Sequence, residues 1–138
     1  MHDEQSLKQT DKLQNRSFVT IKNSREFRSV FDTAVSVANR YLVVYAAVRK
    51  TKNGKENNRY GITVSRKVGK AVVRNKVRRR IREIMRFHTK SEKSVVLFGV
   101  DIVVVARAAA AAATFDELRE AYGRALQKSV KQSIRAEV

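Results

Sequence analysis

The 138-residue sequence contains no cysteine and only two histidines. Without cysteine there is no disulfide, no thiol nucleophile and no thiolate metal site. His2 lies beside the amino terminus, and His88 falls on an apolar helical arc. An adventitious terminal position and a helix-end or core role account for the two imidazoles. Acidic residues are also scarce, 13 against 30 Lys and Arg. Asp116, Glu117 and Glu120 belong to the first turn of a helix, where negative charge opposes the dipole favourably. Asp101 stands alone in an apolar strand and is expected at an edge or on the solvent side. No cluster has metal-ligand spacing. The turn Val68-Gly69-Lys70-Ala71 lacks the second glycine and the Lys-Ser/Thr of a phosphate loop, and reads as a strand-to-helix connection. No run of about 18 apolar residues could span a membrane. The start, MHDEQSLKQTDKLQN, lacks the apolar stretch of a secretory signal, so a cytoplasmic protein is expected.

What the chain has in excess is positive charge, formally +17. Its length allows one domain that buries roughly two-thirds of its unfolded surface. A charge this high favours a polyanionic partner. The excess is not spread evenly. Residues 66–86 carry ten basic residues and one acidic, and residues 20–65 carry nine and three. Residues 1–19 are balanced at three and three, and the rest of the chain is nearly neutral.

Periodicity decides whether the basic run is a tail or a folded element. Residues 1–19 are polar, with few apolar positions, and are expected to be a disordered arm ahead of a single domain over residues 20–138. The stretch SREFRSVFDTA has Ser24 as an N-cap, Glu26 in the first turn, and Phe27, Val30 and Phe31 on one helical face. Residues 41–48 and 60–65 read as strands, joined by a polar connector with an Asn53-Gly54 turn signal, and are expected to pair as an antiparallel hairpin. Residues 70–88 form an amphipathic helix. Val73, Val77, Ile81, Ile84 and His88 gather on one arc, and Asn75, Arg79, Arg82 and Arg86 on the opposite one with Arg78 beside them. Arg80 falls near the apolar arc and snorkels from its edge. An ordered amphipathic helix replaces the disordered-tail reading. Residues 89–94 follow as a polar loop, and VDIVVVA over residues 100–106 reads as a central strand. Thr114 and Glu117 make a capping box for a last helix, with Leu118, Ala121, Tyr122, Ala125 and Leu126 inward. The expected order is α-β-β-α-β-α, an α+β domain built as a two-layer α/β sandwich.

Arginine forks onto phosphate and keeps its charge at any pH. Arg79, Arg82 and Arg86 project one way, with Asn75 a turn ahead, and Arg66, Lys67 and Lys70 precede a helix N-terminus that itself attracts anions. A nucleic-acid contact is the reading this face supports, and without a helix-turn-helix or zinc-finger pattern structured RNA is favoured over DNA. A major-groove DNA reading remains as an alternative. Phe27 and Phe31 read either as a core face or, with Tyr41 or Tyr45, as a surface on which unpaired bases stack.

These residues resemble the bacterial ribonuclease P protein family. Residues 70–82, KAVVRNKVRRRIR, look like its signature helix. SVANR at 36–40, REFRSVF at 25–31, GITVSRKVG at 61–69 and VVVAR at 103–107 follow in the family's order and spacing. The resemblance implies a ribosomal-protein-like fold with a left-handed βαβ crossover, where pattern alone would expect a right-handed one. It further implies a protein that binds a large catalytic RNA and assists hydrolytic removal of the 5′ leader from precursor tRNA. The RNA carries the chemistry with magnesium, the protein holds no cofactor, and no obligate protein partner is needed. Arg74, Asn75, Lys76, Arg78, Arg79 and Arg82 map to the catalytic-RNA face, which Arg66, Lys67, Lys70 and Arg86 extend. Phe27, Phe31, Val43, Tyr45, Thr63 and Lys67 match positions that line the leader groove. The chain departs from the family in Lys76, where a fork is replaced by a point charge. It departs also in the alanine run 108–113, which has no proline and favours an early start to the last helix. A structural rRNA-binding protein of similar fold is the alternative function.

Overall fold

The structure, a computed structural model, describes residues 19–49, 58–90 and 99–137. Strand β5 (Val100–Ala106) organises it. Six of its seven residues are buried, on both faces of the strand, as a continuous Val/Ile run requires. It lies at the centre of a five-stranded sheet ordered β1-β4-β5-β3-β2, with β1 at Val19–Thr20, β2 at Val35–Ala38, β3 at Leu42–Val48 and β4 at Arg59–Val64. β3 pairs with β5 antiparallel, and β4 pairs with β5 parallel. The expected hairpin of β3 with β4 is therefore corrected. The two strands run in opposite directions, but β5 sits between them. A strand that is apolar on both faces gains two full ladders there, whereas hairpin pairing would leave it on an edge. The Asn53-Gly54 turn lies outside the described residues. β1, parallel to β4, and β2, antiparallel to β3, are additions to the expected order. Val19, assigned to the arm, is in β1; residues 1–18 lie outside the described residues.

Helix α2 (Ala71–Lys90) crosses from β4 to the parallel strand β5, and α3 (Phe115–Glu137) follows β5. Both cover one face of the sheet. Val77, Ile81, Ile84 and Met85 of α2, with Leu118, Tyr122, Ala125 and Leu126 of α3, pack on Leu42, Val44, Tyr60, Val64, Ile102 and Val104. Met85 was missed from the expected arc, and Thr89 and Lys90 continue the helix where a loop was expected. Arg80 reaches the Ala113 carbonyl at 3.2 Å, so its head leaves the apolar arc as expected. Helix α1 (Ser24–Thr33) covers part of the opposite face, where Val30 packs with Ile21, Ala47 and Val103.

Both helix starts follow from capping. Thr114 Oγ1 accepts from Glu117 N at 3.1 Å, and Glu117 Oε1 accepts from Thr114 N at 2.9 Å, the reciprocal box read from the sequence. The alanine run does not start α3 early. Residues Ala108–Ala112 form a separate 3-10 turn, and Ala113 is extended before the cap. At α1 the cap is Asn23 and not Ser24: Asn23 Oδ1 accepts from Glu26 N at 2.9 Å. An amide oxygen one residue earlier reaches the same N–H that a Ser24 hydroxyl would have sought.

Candidate nucleic-acid interface

Strand alternation builds the first surface. On the α1 side of the sheet the register aligns Val43, Val105 and Thr63 in one row, and Tyr45, Val103 and Gly61 in the next. Over the second row lies α1. The Phe31 ring meets Tyr45 edge-on with centroids 4.8 Å apart, and Phe27 and Phe31 are 6.4 Å apart. Phe31 is 40% exposed, while Phe27, Val43, Tyr45 and Thr63 are half-buried. The two phenylalanines thus divide the readings left open by the pattern. Phe27 packs inward and Phe31 presents an aromatic edge. Lys67, in the 3-10 turn Arg66–Val68 that follows β4, is exposed at the end of this strand.

Gly61 makes the arrangement possible. A Cβ at this position would lie 2.6 Å and 2.8 Å from Cε1 and Cζ of Phe27, so only glycine lets the ring rest on the strand. Sequence reasoning missed Gly61, although a lone glycine inside a strand pattern is the available signal.

An ion network fixes α1 above these rows. Asp101 is buried at 3% exposure, which corrects the edge or solvent placement. Arg59 forks onto it, with Nε 2.8 Å from Oδ1 and Nη2 2.7 Å from Oδ2. Arg49 Nε lies 2.9 Å from Oδ1 in a charge contact. Arg59 also approaches Glu26 Oε1 at 3.6 Å, which ties the first turn of α1 to the sheet. A carboxylate in an apolar strand is kept there because two guanidiniums and a bidentate hydrogen bond replace its water.

The second surface is α2. Arg66, Lys67, Lys70, Asn75, Lys76, Arg79, Arg82 and Arg86 are exposed, and Arg74 and Arg78 are half-buried. Arg78 donates to Asn75 Oδ1 at 3.2 Å, orienting the amide on the crest of the helix. Glu83 is the only acid in α2. Among the described residues Arg66, Lys67, Lys70, Lys76, Arg79 and Arg82 form no ion pair. The structure thus brings the basic residues together on one elongated face and the aromatic residues together on the α1 side. β4 and its following turn lie between the two.

A larger recess, about 480 Å³, lies elsewhere, between Asn39-Arg40-Tyr41 and α3. Its rim mixes Arg40, Arg124 and Lys128 with Glu117 and Glu120, and of the candidate contact residues only Tyr41 lines it, so that Tyr45 and not Tyr41 stands with Phe31. The Tyr41 hydroxyl donates to Glu117 Oε2 at 2.6 Å, which raises the phenol pKa and lowers that of the carboxyl. His88, against Tyr122 at 5.1 Å between centroids, has its pKa lowered by burial and secondarily by Arg119. Among the described residues no three His, Asp or Glu side chains gather as a metal ion would require. No helix there is long and apolar enough to cross a membrane.

Comparison with known proteins fits this geometry. The ribonuclease P family pattern matches residues 16–130. The chain belongs to the ribonuclease P protein family. It is 41% identical over 102 residues to the ribonuclease P protein component of Lachnoclostridium phytofermentans, covering 74% of this chain and 81% of that one. It is 38% identical over 109 residues to that of Caldanaerobacter subterraneus subsp. tengcongensis, covering 79% and 87%. Among solved structures, the Staphylococcus aureus RNase P protein superposes with a TM-score of 0.65 at 37% identity, covering 78% of this chain and 92% of that one. The Thermotoga maritima protein gives 0.63 at 35%, covering 79% and 96%. Family membership places the chain in tRNA processing, as a component of a ribonucleoprotein endoribonuclease with an RNA partner.

Proposed function

We propose that this chain is the subunit that binds the catalytic RNA of ribonuclease P through α2 and the 5′ leader of precursor tRNA through the α1 side of the sheet. The observation that carries this reading is the separation of chemistries. Lys76, Arg79 and Arg82, with no ion pair among the described residues, crowd one helix, while a half-exposed Phe31-Tyr45 pair stands on the other side of β4. Phosphate-rich structured RNA is matched by the first, since arginine forks onto phosphate at any pH. Unpaired bases are matched by the second, since every base has a face to stack.

The protein's own residues bind and position; hydrolysis belongs to the RNA. In this reading magnesium acts with the RNA partner. The test is reconstitution. Purified protein freed of RNA is expected to leave precursor tRNA intact, and to restore leader removal by the catalytic RNA at low magnesium. Cleavage by the protein alone, or no rescue of the RNA, would overturn the reading. RNA that co-purifies with the chain should be one large non-ribosomal species; ribosomal RNA would instead support a structural rRNA-binding protein.

A further inference from the structure

The sheet ends in β2, whose outer side has no neighbour among the described residues. Asn39 N donates to the Leu42 carbonyl at 2.9 Å, which closes the hairpin of β2 and β3 through Arg40 and Tyr41. In an antiparallel pair, alternate residues exchange both backbone bonds. Val37 and Val35, opposite Val44 and Ala46, therefore serve β3, and Ser36 and Ala38 turn their N–H and C=O outwards. Both are exposed. Edge strands are ordinarily guarded by lysine, proline, a bulge or shortness. Val-Ser-Val-Ala pairs without a bulge and has neither lysine nor proline, so its length of four residues is its only guard.

A helix flank extends this edge. Asn39 Nδ2 donates to the Ala121 carbonyl at 3.1 Å, so α3 starts beside the end of β2 and runs back along it. Two residues of strand span about 6.6 Å and four of helix about 6 Å, which sets Val37 level with Ala125. The recess of about 480 Å³ opens there, with Val37, Tyr41, Ala121 and Ala125 in its wall. Charge is ordered along the outer flank of α3. Glu117 and Glu120 precede Ala125, Lys128 and Lys131 follow it, and all four are exposed. Glu120 pairs with Arg124 at 2.6 Å, while neither lysine has an ion pair among the described residues.

We infer that the β2 edge is the seat of a second copy of this chain, joined about a two-fold axis through Val37 into one continuous sheet. The axis pairs Ser36 of each copy with Ala38 of the other through their open backbone groups. It also sets the two α3 helices antiparallel, so that Glu117 and Glu120 of each copy face Lys128 and Lys131 of the other across Ala121 and Ala125. The pattern is its own complement, as a two-fold interface requires. The opposite edge of the sheet repels a copy, because Arg78 and Arg82 stand over it. Here β2 carries no charge and the flank carries both signs. A peptide strand from another protein would use the edge alone; only a second copy supplies the helix that answers the order of charge. The basic face of α2 lies towards the far edge and stays open, so the inference does not rest on the proposed RNA contacts.

The full chain, freed of RNA, would be followed by sedimentation velocity over a wide range of concentration. A reversible equilibrium of monomer and dimer is expected, with the Ser36 and Ala38 amides exchanging more slowly as the dimer forms. Proline at an outward-facing edge position leaves the inner ladder intact. Ser36→Pro should therefore keep the fold and raise the dissociation constant about tenfold or more, because each copy loses one bond to the other. Glu120→Lys alone, and Lys128→Glu with Lys131→Glu, should each dissociate the dimer, and an equimolar mixture of these two variants should restore it. The lysine reversal lowers the net charge, so an association limited only by repulsion would strengthen with it instead. A monomer at every concentration would overturn the inference and leave the edge to a foreign strand. A dimer indifferent to Ser36→Pro and to the charge reversals would overturn it too, by placing the contact elsewhere.

Discussion

Replacing Gly61 with alanine tests how the aromatic surface is made. Carbon atoms pack best at about 3.5–4.0 Å, and the new Cβ would lie 2.6 Å and 2.8 Å from the Phe27 ring. The ring must retreat by about 1 Å. It is not free to do so without loss, because Val30 is buried one turn on and the Arg59–Glu26 contact holds the first turn of α1. Overpacking of this kind costs about 1–3 kcal/mol. The backbone of Gly61 does not have a positive φ, so alanine also gains about 0.4–1 kcal/mol from a less flexible unfolded chain. The net effect of Gly61→Ala is therefore a loss of about 0–2.5 kcal/mol. In a Phe27→Ala background the clash vanishes and only the gain remains, so the same substitution should stabilise. Urea unfolding of the four proteins gives the coupling directly, expected at about 1–3 kcal/mol. The ring displacement should also lower affinity for a leader-bearing precursor more than for mature tRNA. If the two substitutions add within about 0.5 kcal/mol, Phe27 does not rest on Gly61 and the reasoning fails.

Three other outcomes are expected. Phe31→Ala should weaken binding of leader-bearing precursor and leave catalytic-RNA binding intact, while Lys76→Ala with Arg79→Ala should do the reverse and reduce its salt dependence; equal effects on both ligands in filter-binding assays would contradict two separate surfaces. The Tyr122 hydroxyl is buried without a hydrogen-bond partner, so Tyr122→Phe should keep or raise stability, by up to about 1 kcal/mol, and a fall of that size in thermal melts would show a missed partner. Burial lowers the His88 pKa, so below about pH 6.5 the unfolded chain binds a proton that the folded chain refuses. Stability should fall as pH drops from 7 through the folded pKa and then level off, and His88→Phe should remove this component when melting temperatures at pH 7.5 and 5.5 are compared.

Much of α2 was legible because two independent patterns agree there: an apolar arc with a period of 3.6 and a single-sign crest. The Thr114–Glu117 box was legible because both partners are local. Long-range pairing was not. Asn53-Gly54 is a local signal, and it pointed to a hairpin, whereas the order of the sheet is set by the burial that β5 needs on both faces. β1 has two residues and carries no period at all. β2 does alternate, with Val35 and Val37 inward, but four residues are too few to compete with the helix before them. Asp101 was misplaced because its partners, Arg49 and Arg59, are brought to it only by the ladders. The basic and aromatic residues were named from the sequence, but their separation by β4 could not be, since it depends on which strands pair.

β4 explains why both surfaces belong on one small domain. Its odd-numbered residues Gly61 and Thr63 face the aromatic side, and its even-numbered residues Tyr60 and Ile62 face the core beneath α2. The strand then turns through Arg66 and Lys67 directly into α2. A six-residue strand paired along its whole length with a buried central strand thus fixes the distance and angle between the two surfaces. On the proposed function the catalytic RNA and the leader would meet groups already ordered, and binding would not have to offset the entropy of bringing two flexible sites together. Selectivity follows from the same rigidity. On the proposed function the catalytic RNA fills α2 and the leader fills the α1 side, so only precursor tRNA docked on the assembled enzyme gains the contacts of both RNA and protein.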